Sequence, residues 1–342
     1  MTSSNRRLAE TGRTQAESSR HNWLDNIVQT RSASFLEAVR QSMGDAWMFV
    51  CQGSELRGPG DFLTDEVAGR LVLLCRNADG ELKALFNVCP HLGAPVERMR
   101  HGTTRSFSCP YHGWTFSLDG KLIGTPLPEG YANTGFRRDD YRLPPLSAIS
   151  AGGLVFVSLA GKPSGPGEFF DGIMEPLTGL FPAGDKCELV ANYSLYSGVG
   201  WDNWLQKAYD LLQTDGDRIV FGSSPTAPAA RPKLIETAAG HRALYLASDK
   251  RGDRSDTTLK SAAQDYLARH GLAVCLLFMR PNLLVIASGS ALISVRADPL
   301  DDGCSVLRIR SFAPDREPDA DRRIRLDQFQ RWCGELSKLQ FV

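Results

Sequence analysis

Cys89-Pro90-His91 is followed, after seventeen intervening residues, by Cys109-Pro110-Tyr111-His112-Gly113-Trp114, giving the pattern C-x-H-x17-C-x2-H. Each short segment supplies one thiol and one imidazole. Two cysteines and two histidines in paired loops are a usable donor set for tetrahedral zinc. Zinc loops, however, more often carry like ligands together. Alternation within each loop suits a two-iron cluster, in which two thiolates hold one iron and two neutral imidazoles hold the other.

That disposition is what a Rieske [2Fe-2S] centre needs, with Cys89, His91, Cys109 and His112 as the expected ligands; zinc is the other reading of the same four residues. Pro90 and Pro110 stiffen the two turns. Gly93 and Gly113 permit the close backbone approach by which amides donate to cluster sulfurs. Phe107, Tyr111 and Trp114 are expected to pack around the centre and exclude water, with Trp114 alternatively facing a neighbouring subunit.

The 342 residues are 42% hydrophobic and 23% charged, enough for a sizeable core in two domains. Lys plus Arg and Asp plus Glu are 39 each, so the net charge of zero favours neither nucleic acid nor an acidic membrane surface. The longest apolar stretch, Leu272 to Val295, is cut by Arg280, Pro281 and Asn282, short of the roughly 20 residues a bilayer span needs. No membrane segment is expected. The first thirty residues contain no apolar run like a signal peptide's, so the chain reads as cytoplasmic. In that reducing compartment Cys51, Cys75, Cys187, Cys275, Cys304 and Cys333 are expected to be small buried hydrophobes.

CPHLGAP with CPYHGWTFSLDGKL resembles the Rieske domain of the ring-hydroxylating oxygenase alpha subunits. The resemblance extends upstream through Trp47 to Cys51, GPGDF at 58–62, LVLLCR and ELKALFNVC, and downstream through PLPEGY and LPPLSAISAGGLVFVSL. Respiratory Rieske proteins carry an extra disulfide whose positions here are Ala94 and Tyr111, so the likeness implies the lower-potential oxygenase type. The implied architecture is α+β: an N-terminal all-β Rieske domain and a C-terminal helix-grip domain, an antiparallel sheet with helices. Boundaries are expected at 1–44, a helical segment packing on the C-terminal domain, 45–160 for the Rieske domain, and 161–342 for a degenerate helix-grip domain.

In the second half PSGPGEF reads as a linker. Strand-length alternating runs follow at ELVANYSLYSGV, RALYLAS, AVCLLFM, NLLVIAS, ALISVRADP and SVLRIRSFAP, with helices expected at Trp204 to Leu212, Thr258 to Arg269 and Asp319 to Leu339. A further helix is expected from Ser34 to Ser42. The family binds a mononuclear iron here through two histidines and a carboxylate, beginning on a helix with an Asn-Trp pair. Asn203 and Trp204 match that pair. Tyr209 and Asp210 then stand where Glu-Asn is expected, Gln213 or Thr214 where an Asp is expected, and Gly216 or Asp217 where the first histidine is expected. No shift of register rescues the motif, because no histidine lies between His112 and His241. His241 and His270 are expected at the surface or capping a helix, and Asp327 and Glu335 are the candidates for the late carboxylate. Asp210, Asp215 and Asp217 suit magnesium or calcium better than ferrous iron, and are otherwise expected to cap or solvate a loop.

The remaining histidines are His21 and His101; the latter lies beside Arg98, Arg100 and Arg105, a basic group that suits an acidic reductase or ferredoxin and equally a solvated loop. Three functional readings stand. The chain is expected to hold the [2Fe-2S] cluster without mononuclear Fe(II), passing electrons from an NAD(P)H-dependent reductase or ferredoxin to a homologous catalytic oxygenase subunit in a trimer or hexamer. A self-sufficient mono- or dioxygenase subunit with a non-standard iron site is the second reading, and a redox-linked binding or regulatory module is the third.

Overall fold

The computed structural model describes residues 32–131, 133–181, 187–221, 233–247, 262–288, 291–301, 303–314 and 317–338, the side chains of 214–221, 247 and 338 excepted. They divide into two compact units, Leu56–Pro145 and Ser34–Glu55 with Leu146–Val342. The sequence division at 45–160 and 161–342 differs, since the strands Met48–Gln52 and Leu154–Ser158 cluster with the second unit.

In the first unit the antiparallel strands Leu82–Phe86, Arg70–Arg76, Asp61–Val67 and His101–Thr103 lie side by side in that order. A smaller sheet joins Phe107–Ser108, Thr115–Phe116 and Leu122–Gly124. Alternation puts Phe62 opposite Cys75 and Leu73 opposite Leu85, and these four form one core with Cys89, Phe107, Cys109 and Trp114.

The second unit is built on a seven-stranded antiparallel sheet. Lys233–Glu236, Arg242–Ala247, Leu272–Met279, Leu283–Ser288, Ala291–Asp301 and Cys304–Pro314 follow one another as neighbours, and Cys187–Ser197 closes the far side. Leu272–Met279 and Leu283–Ser288 in the middle are buried along almost their whole length and are continuously apolar, whereas the edge strands Cys187–Ser197 and Lys233–Glu236 are partly exposed. Leu277, Met279, Val285 and Phe312 pack with Phe49, Phe156, Leu177 and Leu267 in one core. Helix Trp201–Phe221 buries Trp204, Leu205, Ala208 and Leu212, and helix Asp319–Lys338 buries Phe329, Trp332 and Leu336, each at helical spacing.

Side chains also tie the strand Met48–Gln52 into this unit. Asn282 accepts from the Phe49 amide at 3.1 Å and donates to its carbonyl at 3.3 Å. Arg296 donates to the Val50 carbonyl at 3.0 Å, and Arg310 reaches the Glu55 carboxylate at 3.0 Å. These long-range contacts, invisible to local pattern, draw the strand away from the unit that follows it in sequence.

The expected strands and helices of the second half are present where described, but the helix expected at Trp204 to Leu212 runs from Trp201 to Phe221. Helix Ala262–Arg269 is the described part of the one expected from Thr258. Within the expected linker at 163–169, Pro166–Phe169 is helical, and a further helix, Met174–Leu180, follows it. Proline at the first helical position costs no hydrogen bond, and the burial of Phe169, Phe170, Leu177 and Leu180 outweighs the glycine content. Cys51, Cys75, Cys187 and Cys275 are buried as expected, whereas Cys304 and Cys333 are partly exposed.

His241 is a correction: far from the surface, it is fully buried. Its Nδ1 accepts from the Arg280 amide at 3.1 Å, so the proton sits on Nε2, which donates to the Phe169 carbonyl at 2.7 Å. Burial, the largest cause, and the Arg280 charge hold its pKa below the ordinary histidine value of 6.5, against the Phe169 hydrogen bond. The unfolded chain therefore takes up this proton more readily, and the His241 contribution to stability is present above about pH 6.5 and lost as pH falls below it. In His241→Gln this acid-side slope is expected to flatten, as read from urea midpoints between pH 7.5 and 5.

Arg325 and Glu317 form a two-pronged ion pair with both side chains about 1% exposed, the closest approach being 2.6 Å. Arg325→Met strands the Glu317 carboxylate and should lower stability by about 3–5 kcal/mol. Adding Glu317→Gln is expected to recover part of that loss in the same denaturation measurement.

Candidate metal centre

Two loops with one backbone design build the site. In the first, the Cys89 amide donates to the Ala94 carbonyl at 2.7 Å and the Gly93 amide to the Cys89 carbonyl at 2.8 Å. In the second, the Cys109 amide donates to the Trp114 carbonyl at 2.8 Å and the Gly113 amide to the Cys109 carbonyl at 2.9 Å. Each turn closes through a glycine of positive φ, 78° at Gly93 and 66° at Gly113. A Cβ at Gly113 would lie 2.7 Å from Pro126 Cγ, while one at Gly93 would meet nothing within 4 Å.

The loop bases are anchored differently. Asn87 is fully buried; its Oδ1 accepts from the Val96 and Glu97 amides at 3.0 and 2.9 Å and its Nδ2 donates to the Glu97 carbonyl at 2.7 Å. The second loop needs no such clamp, because it joins the paired strands Phe107–Ser108 and Thr115–Phe116.

The four expected ligands come together as two pairs. Cys89 and Cys109 are each 2% exposed. Burial raises the Cys89 thiol pKa above its ordinary value and the neighbouring Cys109 raises it further, while the His91 and Leu92 amides act oppositely. The His91 and His112 rings lie 4.7 Å apart at 83°. His91 Nδ1 is buried and has no hydrogen-bond partner. A buried imidazole nitrogen left unpaired is costly unless it binds a metal. A thiol pair inside, an imidazole pair outside and amides aimed at a sulfur are the donor set a [2Fe-2S] centre requires, so the residues fit the group.

Trp114 lies flat against His91, ring centroids 4.9 Å apart and planes within 14°. Its Nε1–H donates to the Tyr131 hydroxyl at 3.1 Å. Phe136 and Tyr141 meet the indole edge-on at 5.6 and 5.1 Å. Phe107 and Trp114 are buried as expected, and Trp114 faces its own unit rather than outward. Tyr111 is 61% exposed, a correction: it rides at the tip of its loop between Pro110 and His112, both also exposed. A cleft of about 600 Å³ opens beside the site, lined among others by Pro90, His91, Trp114, Tyr131 and Phe136. The sequence reading missed Tyr131, Phe136 and Tyr141, whose spacing of five matches neither a helical nor a strand period.

His101 is exposed at the start of its strand, and Arg100 approaches the buried Asp65 at 3.8 Å. In the second unit Asn203 and Asp210 are exposed on helix Trp201–Phe221, Asp210 accepting from Gln206 at 2.7 Å. Tyr209 is buried beneath the Arg242 guanidinium, 4.5 Å from its ring. Trp204 is buried with its Nε1 unpaired. His270 directly follows helix Ala262–Arg269 as expected, 3.6 Å from the Glu175 carboxylate. Asp327 is exposed on the last helix and Glu335 partly so. His21 and the side chains of Asp215 and Asp217 lie outside the described residues.

The profile of the Rieske [2Fe-2S] domain matches residues 46–135. The 2-aminobenzenesulfonate 2,3-dioxygenase subunit alpha of Alcaligenes sp. is 28% identical over 207 residues, 60% of this chain and 52% of that protein. The chain spans about half or less of the length of the curated relatives it matches. Among solved structures, a quaternary ammonium Rieske monooxygenase, described for carnitine oxidation by gut microbiota and inter-subunit electron transfer, superposes with TM-score 0.72 at 20% identity, covering 90% of this chain and 80% of that one. Naphthalene 1,2-dioxygenase from Rhodococcus sp. gives TM-score 0.70 at 22% identity, covering 89% and 79%. The chain thus carries a Rieske domain and the fold of Rieske oxygenase alpha subunits. No described helix is long and apolar enough to cross a membrane.

Gly113→Ala forces a Cβ against Pro126 at a left-handed backbone position and should cost more than the roughly 1–2 kcal/mol of the conformation alone. Gly93→Ala should cost only that conformational part. Iron per chain and thermal midpoints of the two variants are expected to fall in that order, Gly113→Ala further.

Proposed function

We propose that this chain is the electron-carrying subunit of a heteromeric Rieske oxygenase, with Cys89, His91, Cys109 and His112 as ligands of a [2Fe-2S] cluster and with no mononuclear iron of its own. Such a cluster, when bound, takes up and gives out one electron at a time. The unpaired His91 Nδ1 beside the thiol pair supports the ligand assignment. The carrying observation for the rest is the distribution of histidines, none of which lies between 113 and 240.

The histidines elsewhere are committed or remote. Both ring nitrogens of His241 are engaged with backbone, and His270 faces Glu175. The residues that replace the family's ligands on helix Trp201–Phe221 are therefore free of a metal-binding role in this reading. A homologous subunit with an intact iron site would carry out the oxygenation, in a trimer or hexamer supplied with electrons by an NAD(P)H-dependent reductase or a ferredoxin. The domain limits read from sequence, 45–160 and 161–342, are retained as the functional division, and the cytoplasm as the compartment.

A second reading, a self-sufficient oxygenase with a non-standard iron site, is favoured by the likeness of fold over about nine-tenths of this chain and four-fifths of the solved oxygenase chains. Iron analysis separates the two. The purified chain is expected to hold two irons, and oxygen-dependent turnover is expected only when a partner subunit is added. Three irons per chain with a mononuclear ferrous signal, or turnover with reductase alone, would favour the self-sufficient enzyme.

A further inference from the structure

We infer that Tyr131 is a positioning residue for the metal centre, acting through Trp114 on the dryness of the His91 side. The inference rests on the cluster assignment above. His91 is the ligand with the buried, unpaired Nδ1, and its other side is covered by an indole lying flat against it at 4.9 Å. Nothing in stacking alone fixes how an indole is turned within its plane. The Tyr131 hydroxyl does, by accepting from Trp114 Nε1 at 3.1 Å.

Tyr131 is itself held. Its ring lies against Phe136 at 4.5 Å, and the Thr134 hydroxyl donates to its carbonyl at 2.7 Å. Phe136 in turn stacks on Tyr141 at 5.0 Å. These three aromatic side chains and Trp114 form a compact group beside the 600 Å³ cleft that borders His91. The indole covers one face of the imidazole, so the side chain that orients the indole controls solvent access to that face.

The electrostatic sign follows. Two thiolates balance the oxidised cluster core, so the uptake of one electron leaves one net negative charge at the site. A dry, apolar surrounding disfavours that charge and keeps the potential low, whereas water favours it. Tyr131→Phe retains the ring and removes only the acceptor of the indole N–H. The freed N–H then draws water to the indole edge, and the cluster should become easier to reduce.

The test uses the full chain, reduced stepwise with dithionite while the visible circular dichroism of the cluster is followed. Tyr131→Phe is expected to keep two irons per chain and to move the midpoint potential to a more positive value. Trp114→Phe is expected to move it the same way, and the double variant no further than Trp114→Phe alone, because Tyr131 acts through the indole. Thr134→Ala removes the bond to the Tyr131 carbonyl but keeps the Tyr131 hydroxyl and Trp114, and should move the potential less than Tyr131→Phe does. An unchanged potential in iron-replete Tyr131→Phe would overturn the inference, as would simple addition of the two shifts or an equal shift in Thr134→Ala. Failure of the wild-type chain to bind two irons would instead overturn the cluster assignment itself.

Discussion

A pair of identical backbone turns governs the first unit. Each cysteine closes a six-residue loop through its own amide and carbonyl, at 89–94 and 109–114, with the imidazole at the third position of the first loop and the fourth of the second. The thiol is thereby left inside and the imidazole near the surface, twice over. Apposing two such loops creates a thiol pair and an imidazole pair without any further design. What remains is to hold the loops in apposition, and Asn87 and the 107–116 hairpin do so by unlike means. The cost of burying Asn87 is offset because its carbonyl oxygen accepts two amides and its amide donates to a carbonyl.

Much of this was legible because it is local. The ligand spacing, the two glycines and the buried strands around them are written in short stretches, and local spacing is what periodicity detects. The aromatic group of Tyr131, Phe136 and Tyr141 was not legible, since it is irregular backbone that folds over Trp114 and carries no period. Tyr111 was misread because an aromatic beside a ligand suggests shielding, whereas the turn that aims His112 leaves Tyr111 at the tip. His241 was misread for the opposite reason. The preceding Ala239-Gly240 turn suggests exposure, but the strand that begins at Arg242 carries the imidazole into reach of two backbone groups at Phe169 and Arg280, far away in sequence.

The same contrast separates the strands of the second unit from its limits. Six alternating or continuous apolar runs declare six strands; the last five pair in succession and the first pairs with the last. The strand Met48–Gln52 belongs with them through its pairing with Leu154–Ser158, the packing of Phe49, and Asn282, Arg296 and Arg310, whose partners Phe49 and Val50 lie more than two hundred residues away. Such contacts leave no mark on local composition. Nor does the helical turn at Pro166–Phe169, where proline and glycine read as a linker although the phenylalanines that follow are core.

Helix Trp201–Phe221 is held in place by its inward face alone. Packing on the sheet is carried by Trp204, Leu205, Ala208 and Leu212, which are buried, while Gln206, Asp210 and Gln213 are exposed. Burial of each large apolar side chain contributes on the order of 1.5–3 kcal/mol, so the inward face alone accounts for the helix staying in place. The described positions that stand for the family's ligand motif beyond Asn203 and Trp204 add only Tyr209 to that face. Tyr209 packs edge-on against Phe278 at 5.3 Å and lies under Arg242, contacts that a carboxylate at the same position would not supply. The buried, described face of the helix thus holds its place without any metal-binding side chain. The cluster loops are under the reverse constraint, because a thiol pair and a buried Nδ1 without metal are liabilities for the fold that only a bound group relieves.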